Sequence, residues 1–208
     1  MNSFEIDLKR AVFSWKFLFG LILQIIIIKA AGFKSDIYMI SIPVVCTFPY
    51  TTAWLLDYQS GYLKLYLQRA GETSYIIGKI LSCGISGGLL ELMGYLSLYF
   101  IKKEDMGQGI WMLIFMSGML WAVLSATLAA MSGSRYIAYG GSFVIYYLLV
   151  IFNQRNTKGL YCLNPFEWVK FEHTWIFGKQ GVVLLMASVT IILIFIYYEI
   201  LRRCIERV

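Results

Sequence analysis

The apolar residues of this chain fall in long, nearly unbroken runs separated by short polar segments. A helix that crosses a bilayer needs roughly 20 mostly apolar residues. Six runs reach or approach that length: residues 17–33, 37–56, 75–101, 110–131, 136–152 and 182–201. They are too long for barrel strands and do not alternate apolar with polar. The expectation is an all-α, polytopic membrane protein with six transmembrane helices, formed by one domain over residues 1–208.

Finer patterning distinguishes the runs. In residues 1–16, Phe4, Leu8, Ala11, Val12 and Trp15 form one helical stripe, while Glu5, Lys9 and Lys16 share another side. That predicts a helix lying in the membrane interface with its apolar stripe in the acyl boundary. The second run contains Pro43 and Pro49. Proline removes a helical hydrogen bond, so this span is expected to be bent or broken. The third run carries Gly84, Gly87, Gly88 and Glu91 at offsets that share one face. The fourth carries Gly118, Ala122, Ala126 and Ala130, a small residue at every fourth position. Faces of that kind let helix backbones approach closely, so both spans read as tightly packed inside a bundle, with Gly84, Gly88 and Glu91 as candidates for helix packing or a translocation path.

Composition supports the membrane reading. Hydrophobic residues make up 59% of the chain and charged residues 14%, against about 45–50% and about 25% in soluble domains. The net charge is +6, but Lys and Arg are scattered among apolar blocks. No basic stripe forms, and nucleic acid is not expected as a partner. With the N-terminus inside, ten basic residues fall on the cytoplasmic side and eight outside. That small excess favours a multi-pass protein of the cell membrane with both termini cytoplasmic. Acids and bases within residues 1–16, and no small-residue cleavage site after the first apolar run, argue against a cleaved signal peptide. The four cysteines, Cys46, Cys83, Cys162 and Cys204, have neither disulfide-framework nor metal spacing.

Chemistry-bearing residues are few. Glu91 is the one acid deep in a span. Burying its charge is costly, so it either binds a cationic group, carries a proton, or fixes helix packing as a neutral carboxyl. Gln24 and Lys29 lie in the first span, where Lys29 can extend its ammonium to the interface. His173, the single histidine, lies in a polar aromatic loop without further metal ligands. Gly78-Lys79-Ile80 lacks the spacing and the hydroxyl of a Walker A loop, so this chain does not hydrolyse ATP that way.

Two polar connections remain. Residues 57–74 would face the cytoplasm, with residues 62–68 forming a short amphipathic helix ended by Arg69-Ala70-Gly71. Residues 153–181 would lie outside; Asn164-Pro165-Phe166-Glu167 begins an aromatic-rich turn suited to dipping into the membrane edge. This order of elements resembles the permease subunits of ABC-2 type transporters, the type V exporters. The stretch carrying the resemblance runs from Asp57 through Gly61, Lys64-Leu65 and Arg69-Ala70-Gly71 to Tyr75-Ile76-Ile77-Gly78-Lys79, with Asp57 where the family usually has glutamate.

The resemblance implies that Asp57, Gly61, Tyr62, Lys64, Leu65, Tyr66, Arg69 and Gly71 couple the chain to a separate ABC ATPase subunit. It also implies a second permease chain, identical or related, and a hydrophobic or amphipathic cargo such as an antimicrobial peptide or a drug, sometimes exported as self-immunity. No cofactor is expected on this chain, and ATP and Mg would sit on the partner. Two rival classes stay open: a non-catalytic membrane assembly or immunity protein, and an intramembrane peptide-processing enzyme, for which no base is seen near Cys83 or Glu91.

Overall fold

A computed structural model describes residues 3–33, 35–102, 109–156, 161–171, 175 and 177–206. Among them every regular element is helical: α1 (Ser3–Val12), α2 (Trp15–Ala31), α3 (Asp36–Val45), α4 (Ala53–Gln59), α5 (Tyr62–Ala70), α6 (Glu72–Lys102), α7 (Ile110–Ser132), α8 (Arg135–Asn156), α9 (Glu167–Lys170) and α10 (Gly178–Ile205). Four of these, α6, α7, α8 and α10, are long and apolar enough to cross a bilayer. A fifth is counted if α1 and α2, bent by 48° at their junction, act as one span.

The remaining apolar run, 37–56, is where continuous helix gives way. Pro43 sits inside α3, which ends at Val45. Cys46 N–H still bonds the carbonyl of Ile42 at 3.2 Å, but Thr47 and Phe48 donate only three residues back, to Val44 and Val45. This tightening takes Pro43 O out of the ladder, and Ser142 Oγ of α8 donates to it at 2.6 Å. A buried carbonyl must find some donor, and α8 supplies it. The chain then turns through residues 46–52 before α4 begins. The break expected from the two prolines therefore separates a ten-residue helix from a seven-residue one.

The central pair is α6 and α7, and the glycines explain its closeness. A Cβ on Gly87 would collide with Ala122 Cβ and lie 3.0 Å from Gly118 O. One on Gly118 would lie 2.8 Å from Gly87 O and 2.8 Å from Glu91 Cγ. The glycine face of α6 thus meets the small-residue face of α7, at backbone-to-backbone range. By contrast, only 22% of the apolar window of α8 and of α10 is buried, against 67% for α6 and α7. Val144, Leu148, Leu184, Ile191 and Phe195 all point outward, where an aqueous surface would leave a large apolar patch.

The segment after α8 turns inward. Trp168 of α9 is buried and stacks on Trp121 of α7, with ring centroids 5.8 Å apart. Its indole N–H donates to Cys162 O at 2.9 Å. Trp121 lies about 16 Å along α7 from its first residue, at 1.5 Å per residue. The aromatic turn therefore reaches well into the bundle. Lys34, Lys103, Lys158, His173 and Arg207 lie outside the described residues.

Candidate functional site

The residues with most chemistry gather where α1, α4, α5 and the start of α6 converge. α1 presents Ser3, Asp7 and Ala11, one helical face at four-residue spacing, and all three are buried. Its partner is the first turns of α6. Gly78 makes the approach possible: a Cβ there would lie 3.0 Å from Ser3 Oγ and 3.2 Å from the backbone nitrogen of Phe4. The apolar stripe of α1, expected to lie in the acyl boundary, is only partly covered by the fold. Phe4, Leu8 and Val12 are half-buried, and Trp15, now the first residue of α2, is exposed.

Lys79, one residue past Gly78, is 2% exposed and lies between two carboxylates. Its ammonium is 2.9 Å from Asp7 Oδ1 and 2.7 Å from Asp57 Oδ2. A third donor direction reaches Tyr50 OH at 2.8 Å, and the Tyr50 hydroxyl in turn donates to Asp7 Oδ1 at 2.5 Å. Tyr75 OH donates to Asp57 Oδ2 at 3.2 Å. The rings of Tyr50 and Tyr75 also flank the ammonium, with centroids 4.9 and 5.3 Å away. An ammonium has three donors, and all three are used. Arg10 stands at the rim, 4.0 Å from each carboxylate. Two acids and two bases balance formally, which a buried charged cluster requires if it is not to destabilise the fold.

The cluster makes a mechanical junction. Asp7 belongs to α1, Tyr50 to the break, Asp57 to α4, and Tyr75 and Lys79 to α6. The segment that follows Asp57 is set by two glycines in conformations that side chains resist: Gly61 (φ 71) opens α5 and Gly71 (φ 75) closes it. Tyr66 of α5 reaches back to Ser3, hydroxyl to hydroxyl at 3.0 Å, and packs edge-on against Tyr75 at 5.3 Å. Between α1 and α4–α5 lies an open groove of about 610 Å³ with Ile6, Arg10, Asp57, Gly61, Tyr62 and Tyr66 on its walls.

Most residues singled out in the sequence fall into two places. Asp57, Gly61, Tyr62, Tyr66 and Gly71 lie around this junction, and Lys64 is exposed on α5. The side chains of Leu65 and Arg69 lie outside what is described. The two ends of the quoted motif, Asp57 and Lys79, meet as an ion pair. Asp7, Arg10 and Tyr50 complete the cluster and were not foreseen; the readable signal was an acid flanked at four-residue spacing by Ser3 and Ala11.

Glu91 forms the second place, deeper along α6. It is fully buried, accepts from Gln24 Nε2 of α2 at 2.6 Å, and backs onto Gly118 of α7. Gln24 Oε1 accepts from Ser41 Oγ of α3 at 3.4 Å. Among the described residues no cation pairs with Glu91, and Glu91 Oε1 and Tyr38 OH are buried without hydrogen-bond partners. Gly84 and Gly88 pack against Met119, Val123 and Phe115 of α7, so on this chain they serve helix contact.

These features define a multi-helix, apolar bundle of the kind that crosses membranes several times, with a buried charge junction where its N-terminal helix meets a short amphipathic one. No family model matches the chain, and neither a curated protein nor a solved structure matches it.

Proposed function

We propose that this chain is the membrane permease subunit of an ATP-driven exporter of the ABC-2 type, moving a hydrophobic or amphipathic cargo, an antimicrobial peptide or a drug, out of the cell. In this reading α3, the turns and α4 together make a broken second crossing, giving six crossings and cytoplasmic termini in the cell membrane. A separate ATPase subunit carries ATP and Mg, and a second permease chain, identical or related, completes the path.

The observation that carries the reading is the junction at Lys79. A short amphipathic helix bounded by two glycines would serve as a docking element only if its displacement reached the spans. Here Asp57, four residues before Gly61, is tied by Lys79 to α6 and through Asp7 to α1. Tyr66 adds contacts to both α1 and α6. Movement imposed on α5 would therefore shift both helices together, which is how a packed, bistable bundle changes exposure.

The test is purification from native membranes in mild detergent, identification of co-purifying chains, and an ATPase assay. The expected result is a co-purifying chain with a Walker A loop, lost when residues 62–71 are replaced by a Gly/Ser linker and weakened by Lys64→Glu on the exposed side of α5. An intact bundle that brings down no ATPase would refute the reading and leave a membrane assembly or immunity protein as the better one.

A further inference from the structure

At the same end of the bundle, on the side formed by α2, the 46–52 turns and α8, two cations stand without a carboxylate. Lys16 Nζ touches only hydroxyl oxygens, Thr52 Oγ1 and Tyr139 OH, each at 3.3 Å. These are long for charge-assisted bonds. Arg135, the first residue of α8, donates from Nε and Nη2 to the neutral amide oxygen of Gln59 at 3.2 and 2.6 Å. Both basic side chains are exposed, and among the described residues no acid pairs with either. Elsewhere among the described residues Lys9, Arg10, Lys79, Lys170 and Arg202 each lie within 4.0 Å of a carboxylate.

Two adjoining hollows share Tyr139 as their common wall. One, of about 270 Å³, is almost wholly apolar, lined by Trp15, Phe19, Phe48 and Tyr139 with Lys16 at its edge. Its rings form a continuous aromatic wall: Phe19 to Phe48 at 5.8 Å, Phe48 to Tyr139 at 5.9 Å. The other, of about 460 Å³, is more polar than the first and holds Arg135, Ser134, Gln59 and Tyr136. Trp15 is 80% and Tyr136 90% exposed beside them. Exposed Trp and Tyr of this kind mark the level where acyl chains meet headgroups.

We infer that this paired hollow is a binding site for an anionic glycerophospholipid, its phosphate held by Lys16 and Arg135 and the upper part of an acyl chain lying along Trp15, Phe19 and Phe48. Charge complementarity selects the headgroup, because a zwitterionic lipid would set its own cation against two unpaired bases. The apolar wall selects a lipid over a free anion. The bound lipid would join α2, the break at 46–52 and α8, elements that here share few polar contacts. The site does not touch the Lys79 junction and stands whether or not an ATPase binds α5.

The test is native mass spectrometry of the full chain in mild detergent, titrated with phosphatidylglycerol or with phosphatidylcholine. Four proteins are compared: wild type, Lys16→Gln/Arg135→Gln, Phe48→Ala, and the control Arg203→Gln, which removes an exposed cation from the last turn of α10. Phosphatidylglycerol is expected to bind wild type and R203Q equally, and more tightly than phosphatidylcholine. The double variant should lose about tenfold or more in affinity for it, as two interfacial charges are removed. F48A should weaken both lipids. Equal binding by wild type and the double variant, or equal affinity for the two lipids, would overturn the inference. So would displacement of the lipid by excess inorganic phosphate, which would mark a bare anion site. Retention of lipid on the double variant with a shift from dimer to monomer mass would assign the surface to a second copy and overturn it as well.

Discussion

Replacing Lys79 by Met tests the charge junction most directly. Met keeps much of the length and apolar volume of the stem, so the change isolates the ammonium. Three contacts vanish together: 2.9 Å to Asp7, 2.7 Å to Asp57 and 2.8 Å to Tyr50. What remains is two buried carboxylates facing one another, with Arg10 at 4.0 Å from each as the nearest cation. The Arg10 side chain is 52% exposed, so water screens much of what it offers. Removing one partner of a buried ion pair costs about 3–5 kcal/mol, because the other is left uncompensated. In a chain of this size each kcal/mol moves the melting midpoint by about 2–4 °C. Lys79→Met should therefore lower the Tm in mild detergent by roughly 6–20 °C, followed by tryptophan fluorescence, with Trp54 of α4 close by. The triple variant Asp7→Asn/Asp57→Asn/Lys79→Met leaves Arg10 as the cluster's one charge, half-exposed to water, and should recover most of that loss because no buried charge stays unpaired. The reasoning fails if K79M melts within about 2 °C of wild type, or if the triple variant is no more stable than K79M.

Further predictions concern the helix contacts. Gly87→Ala places a methyl against Ala122 and two backbone carbonyls, and should cost about 1–3 kcal/mol in a thermal or denaturant melt; Gly140→Ala, with nothing within 4 Å, should change stability by no more than about 1 kcal/mol and in the stabilising direction. Glu91→Gln keeps the size and an acceptor for Gln24, and should stay within about 1 kcal/mol of wild type. Glu91→Ala opens a void and strands the Gln24 amide, and should cost about 2–5 kcal/mol; equal losses for the two would contradict a packing role. Ser142→Ala leaves Pro43 O without its donor and should cost about 1–3 kcal/mol, whereas Ser188→Ala, whose hydroxyl is exposed on α10, should be neutral in the same melt.

What the sequence conveyed, and what it did not, follows from the solvent. Long apolar runs mark α6, α7, α8 and α10 because a bilayer demands length and apolarity, both visible in one dimension. The small-residue faces of α6 and α7 were legible for a similar reason: close backbone approach needs glycine and alanine whatever the partner. The face of α1 that packs inward was not. Its apolar stripe speaks only of the interface, while the side that packs on α6 is the small and polar one, Ser3–Asp7–Ala11. Inward faces of this kind are chosen by fit and polar pairing, which hydrophobicity does not report. Lys79 stands out in the sequence only as the end of the motif that begins at Asp57, and its partners lie 72 and 22 positions away across a helix break. Gln24 and Glu91 were each noticeable as polar residues in apolar runs. That they bond at 2.6 Å depends on how α2 leans on α6, which no local pattern encodes.

Both polar networks are anchored on α6. Lys79 and Glu91 are about 18 Å apart along it at 1.5 Å per residue, and the helix is continuous from Glu72 to Lys102. Between them, Gly84, Gly87 and Gly88 bring its backbone against α7. A helix held at that range over several turns has little room to bend, since packed interiors resist small deformations and rearrange as units. A push on α5, carried through Asp57 and Lys79, would then tilt α6 and α7 together. The 46–52 turns are the irregular part of this end of the bundle, and they too are packed, with Thr47, Tyr50, Thr51 and Thr52 buried. There the regular ladder lapses, Tyr50 touches the charge junction, Phe48 lines the lipid-facing hollow, and Thr52 accepts from Lys16 at its edge. One short irregular segment thus borders the junction on one side and the membrane surface on the other. The proposed lipid and the proposed ATPase would therefore both bear on this one segment, so occupancy of either site should alter the affinity of the other.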